Sequence, residues 1–344
     1  VEEKYVNVLE KIQRDSEGKR DYTTALSNVH MDYNGKIAFR DTTAVEGPSI
    51  RDINFDITDW GQSQIFNKLG MPTQYFKKAR LENPDLVASH FNYWAEKSDS
   101  EVLIRTKVKN QEHGLIRGVL SDKYTMLDND MASETLGAIL AGHDDKFSVK
   151  SYHLDDTRLH IRMTFPDMTK KLGVTPSGEP DYQQIGMDFV NSEVGASSLN
   201  ILSMVYRLVC SNGLRRWEVD ESFVQRHIYH KSIELLARMA GAITTSINVG
   251  QEVLQGLENT MLQQIESPFT VIDNLAKDGN FTNEFTDRAK TLFEGEDTAY
   301  GIINAFTASA RDLPNDRRLD AEKFAGRLIK LKPGEWTRLA EPAA

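Results

Sequence analysis

In the segment EVLIRTKVKN, Arg105, Lys107 and Lys109 fall at every second position. A strand over these residues presents all three on one face, opposite Ile104, Thr106 and Val108. Arg117, Lys123 and Tyr124 follow in GLIRGVLSDKY, and Arg158 and Arg162 lie in a later alternating segment. Arg215, Arg216 and Trp217 come just after an Asn212-Gly213 turn signal in RLVCSNGLRRW. Strand-borne cations beside aromatic rings can follow a phosphate backbone while the rings stack on bases. The same spacing also fits a sheet face whose cations are balanced by neighbouring acids.

Three other groups have the residue types for chemistry. In HIYH, His227 and His230 with Glu234 one turn on would share a face if the segment is helical, so they are candidate metal ligands; flanking a core stripe is the plainer role. Asp122, Asp128, Asp130 and Glu134 in SDKYTMLDNDMASE could gather on Mg²⁺ for phosphodiester hydrolysis. Asp128 to Asp130 also stand where a helix needs caps and negative charge. Cys210, the single cysteine, ends an apolar run with no His nearby in sequence, and reads as a small buried hydrophobe. The chain lacks the GxxxxGK[ST] loop, GxGxxG after a strand, GxSxG and HExxH.

The elements that must position these residues are legible in outline. VEEKYVNVLEKIQRDSEGKR is a charged helical pattern, and YTTALSNVHMDYNGKIAFRD a hairpin turned at Tyr33-Asn34-Gly35. Helical spacing over Asp59 to Lys97 predicts three short helices, with Asp59 and Pro72 as start signals. Two hairpins follow, over 101–124 and around Asp155-Asp156, flanking a helix from Asn129 or Asp130 to about Gly142, which makes a β-β-α-β-β succession. PDMTKKLGVTPSGEPDYQQIG reads as an exposed loop, SLNILSMVYRLVC as a strand. From Asp220 the pattern is helical, first as one long helix or two broken near Gly250, then as shorter helices, and KPGEWTRLAEPAA reads as a tail. The expected class is α+β: antiparallel hairpins packed with helices in a central domain, followed by a mainly helical C-terminal region. The expected divisions are 1–98, an N-terminal hairpin and helical segment; 99–235, the central domain; and 236–344, the helical region.

Composition narrows the function classes. At 344 residues, 40% hydrophobic and 27% charged, the chain is long enough for more than one core. No run approaches a membrane span, and the first residues do not resemble a signal peptide. One cysteine leaves no intrachain disulfide and fits a reducing cytoplasm. A net charge of −10 argues against coating nucleic acid through bulk charge, but residues 101–240 are close to balanced, so the excess acid lies in the flanks.

Three ordered segments carry a family resemblance. They are Gly70, Met71, Pro72, Tyr75, Pro84, Asn92 and Trp94; then Arg105, Arg117, Leu120, Ser121, Asp122, Tyr124, Leu127 and Asn129; then Val209, Cys210, Asn212 and Leu214. Over about 65–235 the chain resembles the phage/plasmid-like family of unknown function, domain-of-unknown-function family 932, with Gly118 where that family usually has alanine. The resemblance implies a phage-encoded protein of nucleic-acid metabolism and supplies no catalytic residues. The β-β-α-β-β order is similar in outline to single-strand annealing proteins.

The expected function is therefore a single-stranded DNA-binding or annealing-type protein supporting replication or recombination, acting as a homo-oligomer in the host cytoplasm without a cofactor. Its contacts would be Arg105, Lys107, Lys109, Arg117, Lys123, Tyr124, Arg158, Arg162, Arg215, Arg216 and Trp217. One alternative is a non-DNA assembly or host-takeover protein that binds a host or phage protein through the acidic helical C-terminal region. That reading expects the Arg105 to Lys123 hairpin to be laced with salt bridges or buried in a subunit contact. The other alternative is a Mg²⁺-dependent nuclease built on Asp122, Asp128 and Asp130.

Overall fold

The structure, a computed structural model, describes residues 2–40, 43–44, 53–109, 113–142, 146–174, 178–208, 213–215, 223–228, 231–293 and 297–342. Within them the chain has an α+β fold of two sheets and a helical C-terminal region.

The first sheet contains β1 (Lys19–Ala25), β2 (Val29–Met31), β3 (Ile37–Phe39), β4 (Thr43–Ala44), β5 (Asn54–Ile57), β6 (Glu101–Val108) and β7 (His113–Ser121), in the order β2-β3-β5-β7-β6-β1-β4. Its pairings are antiparallel except β5 with β7. Gly35, at φ +76°, turns the β2–β3 hairpin as the Asn-Gly signal requires. Three helices follow β5: α2 (Asp59–Lys68), α3 (Thr73–Glu82) and α4 (Pro84–Ala95). They bury Ile65, Phe66, Phe76, Val87 and Phe91 with Tyr22, Ile104 and Ile116 of the strands.

The second sheet contains β8 (Ser148–Leu154), β9 (Leu159–Val174), β10 (Pro180–Asn191), β11 (Leu199–Arg207), β12 (Gly213–Arg215) and β13 (Phe223–Gln225). Its order is β12-β11-β10-β9-β8, with β13 also paired to β11. A long helix, α6 (Ser232–Leu262), packs on β10 and β11. On another flank sit α1 (Glu3–Ser16) and α5 (Asn129–Ala141), pinned by the Tyr5 hydroxyl donating to the Ser133 carbonyl at 2.6 Å. The remaining helices are α7 (Pro268–Asp278), α8 (Asn283–Thr291), α9 (Ala299–Ser309), α10 (Asn315–Leu328) and α11 (Pro333–Leu339).

Three expectations need correction, and of the two alternatives at Gly250 the single long helix is the one observed. The expected loop at 166–186 is largely strand: β9 runs to Val174 and β10 starts at Pro180. Pro166 is tolerated because it lies in a register irregularity between Thr164 and Thr169, where no ladder N–H is needed. The helix is not broken at Gly250, where a Cβ would stand 2.5 Å from Ile185 Cγ2; glycine there permits close packing on β10. The expected tail forms α11 with Trp336 buried. Boundaries at 98 and 235 cut through packed units, because β6 pairs with β1 and one core joins α1, the second sheet and α6 to α11. A second core lies within residues 22–119. The two hairpins of the β-β-α-β-β succession thus belong to different sheets.

Candidate functional site

β6 is buried on both faces along most of its length, so Arg105 points inward although it alternates as expected with Ile104 and Thr106. Asp21 lies directly opposite it on β1. Arg105 Nε and Nη2 each donate to Asp21 at 3.0 Å, Nη2 also donates to the Asp128 carboxylate, and Nη1 donates to the Glu193 carbonyl at 2.9 Å. Its side chain is 0% exposed. Arg117 reaches the same place by a bulge: Arg105 opposes Gly118 and Thr106 opposes Ile116, leaving Arg117 unpaired in the ladder and turned into the interior. There its guanidinium donates to the Glu193 carboxylate.

Glu193, from the β10–β11 loop, gathers the cluster. Its carboxylate, 3% exposed, also takes Lys19 Nζ at 2.9 Å and the Asn129 backbone N–H at 2.9 Å. That last bond gives α5 a cap that its own N-terminal residue does not supply, since the Asp128 side chain turns to Arg105. The expected capping by Asp128 is corrected accordingly. Lys107 is held by Asp15, at 3.0 Å from its carboxylate and 2.7 Å from its carbonyl. Asp15 also pairs with Lys19 at 2.9 Å, so Lys19, Arg105, Lys107 and Arg117 face Asp15, Asp21, Asp128 and Glu193, four cations to four carboxylates. Burial opposes the charge on Glu193, but Arg117, Lys19 and Arg105 outweigh it and hold the carboxyl below the usual range. Beside the cluster lies a cavity of about 50 Å³ lined by Lys107, Arg117, Arg158 and Glu193.

The other expected contact residues are dispersed. Arg162 makes a two-pronged pair with Asp188 at 2.9 and 3.1 Å. The Tyr124 hydroxyl donates to the Ser192 carbonyl at 2.7 Å, and its ring stacks on His227 at 5.3 Å, so that face is not open to a base. Lys109, Lys123 and Arg158 are exposed. Arg215 sits on β12 opposite Met204; its side chain, Arg216, Trp217, Cys210 and His230 lie outside the described residues. The strand face of cations is therefore corrected at Arg105, Lys107, Arg117 and Arg162, each tied to a carboxylate, and at Tyr124.

Among the described residues the metal candidates are not assembled either. His227 lies between β13 and α6 rather than on a helix with Glu234, and burial pushes its pKa down to about 4. Asp130 accepts from the Met131 N–H and Glu134 from Gln13. Among the described residues no three His, Cys, Asp or Glu are grouped to hold a metal ion. Likewise, no described helix is long and apolar enough to cross a membrane.

A second feature lies on α4. Asn92 pins this helix to β2 by accepting from the Met31 N–H at 2.8 Å and donating to the Met31 carbonyl at 2.9 Å. With Phe91 and Ala95 buried, the opposite face leaves Leu86, His90, Tyr93 and Trp94 exposed, the last two at 53% and 47%. Tyr93 and Trp94 meet edge to face at 5.1 Å, and Lys97 Nζ lies 4.0 Å from the Tyr93 ring centre.

The family model that matches the chain is the domain of unknown function DUF932, over residues 117–320, more than half of the chain. The chain belongs to this family. The DUF932 segment contains the bulged Arg117, Asp128, Glu193, the second sheet and the helices through α9. It reaches well past the 65–235 span of the resemblance and leaves α4 outside. No curated protein and no solved structure matches the chain.

Glu193, Asp21 and Lys19 were not among the residues singled out by type and spacing. The one available signal was a lone acid in FVNSEVGASSLNI, between two apolar strands. Gly118 belongs to the same assembly: a Cβ there would stand 2.9 Å from Val194 Cβ, so the glycine admits the loop that carries Glu193.

Proposed function

We propose that this chain is an interaction protein that works by self-association, a second copy docking on the exposed face of α4. In this reading the 101–124 hairpin is an internal brace and not a track for single-stranded DNA. The observation that carries the proposal is the engagement of Arg105, Lys107 and Arg117 by carboxylates: a phosphate reaches these cations only by displacing those partners, of which Glu193 is buried and Asp15 is half-buried.

The α4 face has the composition of an interface centre, aromatic and aliphatic with a charged rim. A two-fold antiparallel pairing sets Leu86 toward the partner's Tyr93 and Trp94 and opposes the helix dipoles.

Sedimentation equilibrium from 1 to 100 μM tests this, with a fluorescence-anisotropy titration against a labelled oligonucleotide at low and high salt beside it. The proposal expects a concentration-dependent dimer, lost in Trp94→Glu with an unchanged circular dichroism spectrum. It is overturned by a monomer at every concentration. Saturable, salt-dependent oligonucleotide binding abolished by Lys123→Glu with Arg158→Glu would also overturn it, and would restore the DNA-binding reading.

A further inference from the structure

A cavity of about 410 Å³ opens in the C-terminal helices, between the α7–α8 turn and α10, within the roughly 300–1,000 Å³ that small-molecule pockets occupy. Its floor is aromatic. Phe281 stacks on Phe285 at 4.4 Å and meets Phe324 edge to face at 5.2 Å. This floor depends on Gly279, where a Cβ would stand 2.3 Å from the Phe281 ring and 3.0 Å from Phe324. Asn280, at φ +53°, completes the turn that folds Phe281 back into the cavity.

The rim is cationic. Arg317, Lys323 and Arg327 all line the cavity from α10, Lys323 and Arg327 one turn apart and Arg317 nearer the start of the helix. Asp320 is the acid among the lining residues. On the other side of the helix Arg318 is tied to Glu322 at 2.9 Å. A three-to-one excess of cations around an aromatic floor stands out in a chain of net charge −10. Arg327 already lies 5.5 Å from the Phe324 ring centre, a geometry in which a guanidinium can hold an anion and cover a flat ring at once.

We infer that this cavity binds a small aromatic anion, its ring on the phenylalanine floor and its carboxylate or phosphate at the cationic rim that Arg317, Lys323 and Arg327 form. The inference is independent of self-association through α4, and its site lies on other elements.

The test uses the full chain and two fluorescent probes, anionic 8-anilinonaphthalene-1-sulfonate and neutral N-phenyl-1-naphthylamine. Saturable binding of the anionic probe is expected, weakened about tenfold or more in Arg317→Gln/Arg327→Gln with the neutral probe changed less than about twofold and the melting temperature retained. Displacement of the anionic probe by 2-naphthyl phosphate or by 2-naphthoate, but not by inorganic phosphate, supports the site, and the stronger competitor identifies the head group. Overturning results are an unchanged affinity for the anionic probe in the double variant, an equal loss for both probes, failure of both aromatic competitors, or equal displacement by inorganic phosphate.

Discussion

Replacing Glu193 by glutamine leaves Arg117 buried beside a group that no longer carries its countercharge, and leaves Lys19 with Asp15 alone. Breaking a buried ion pair from one side costs about 3–5 kcal/mol, so Glu193→Gln should lower the unfolding free energy in urea by that order. Arg158→Gln, at an exposed turn, should stay within about 0.5 kcal/mol. A comparable loss in the two variants would contradict the network. pH separates two residues of this region. His227, with a folded pKa of about 4 against 6.5 ordinarily, contributes stability that is complete above 6.5 and is lost as pH falls toward 4. Glu193, held below its ordinary 4.5, contributes stability that begins to be lost only below about that pH. Urea midpoints of wild type should therefore fall between pH 7 and 5, and His227→Leu should flatten that fall. An unchanged slope would contradict the burial of a neutral imidazole. At this scale the sequence was legible in part. Alternation correctly put Arg105 opposite Ile104 and Thr106, but which face meets solvent depends on β1 and on Glu193, 88 residues further along the chain.

At the scale of elements, α6 offers a paired test within one helix. Gly250 is pressed against Ile185, whereas a Cβ at Gly241 meets nothing within 4 Å. Gly250→Ala should lower the melting temperature, by the equivalent of about 1–3 kcal/mol for overpacking. Gly241→Ala should raise it, helix propensity favouring alanine by up to about 1 kcal/mol. If both substitutions shift the melting temperature alike, the close approach of α6 to β10 is wrong. Most elements were legible because hydrophobic period and turn residues act locally: the Asn34-Gly35 hairpin, the three helices after β5 and the long α6 pattern all follow from short windows. The 166–186 strands were not, since Pro166, Gly173 and Gly178 look like loop until the bulge and the partner strand are present. The inward direction of Arg117 was not legible for a similar reason: a one-residue bulge reverses the direction that strict alternation assigns.

For the whole molecule, the lesson concerns which segments share a core. Local pattern suggested three successive domains, but α1 packs with residues from 127 onward while β6 and β7 complete the sheet begun at β1. Such pairings between distant segments leave no trace in composition. The DUF932 match begins at residue 117, inside β7, and so crosses from the first sheet into the second at the ion network that joins them. The cations there are internally balanced, and the two proposals accordingly rest on other surfaces, the α4 face and the cavity of α10. The antiparallel pairing through α4 is tested most directly by a pair of introduced charges followed by sedimentation equilibrium. Leu86→Lys alone and Tyr93→Glu alone should each weaken the dimer, by about tenfold or more for a charge placed in an apolar centre. The double variant, which sets each lysine toward the partner's glutamate, should associate more tightly than either single variant. Single variants that associate like wild type, or a double variant weaker than either, would contradict it.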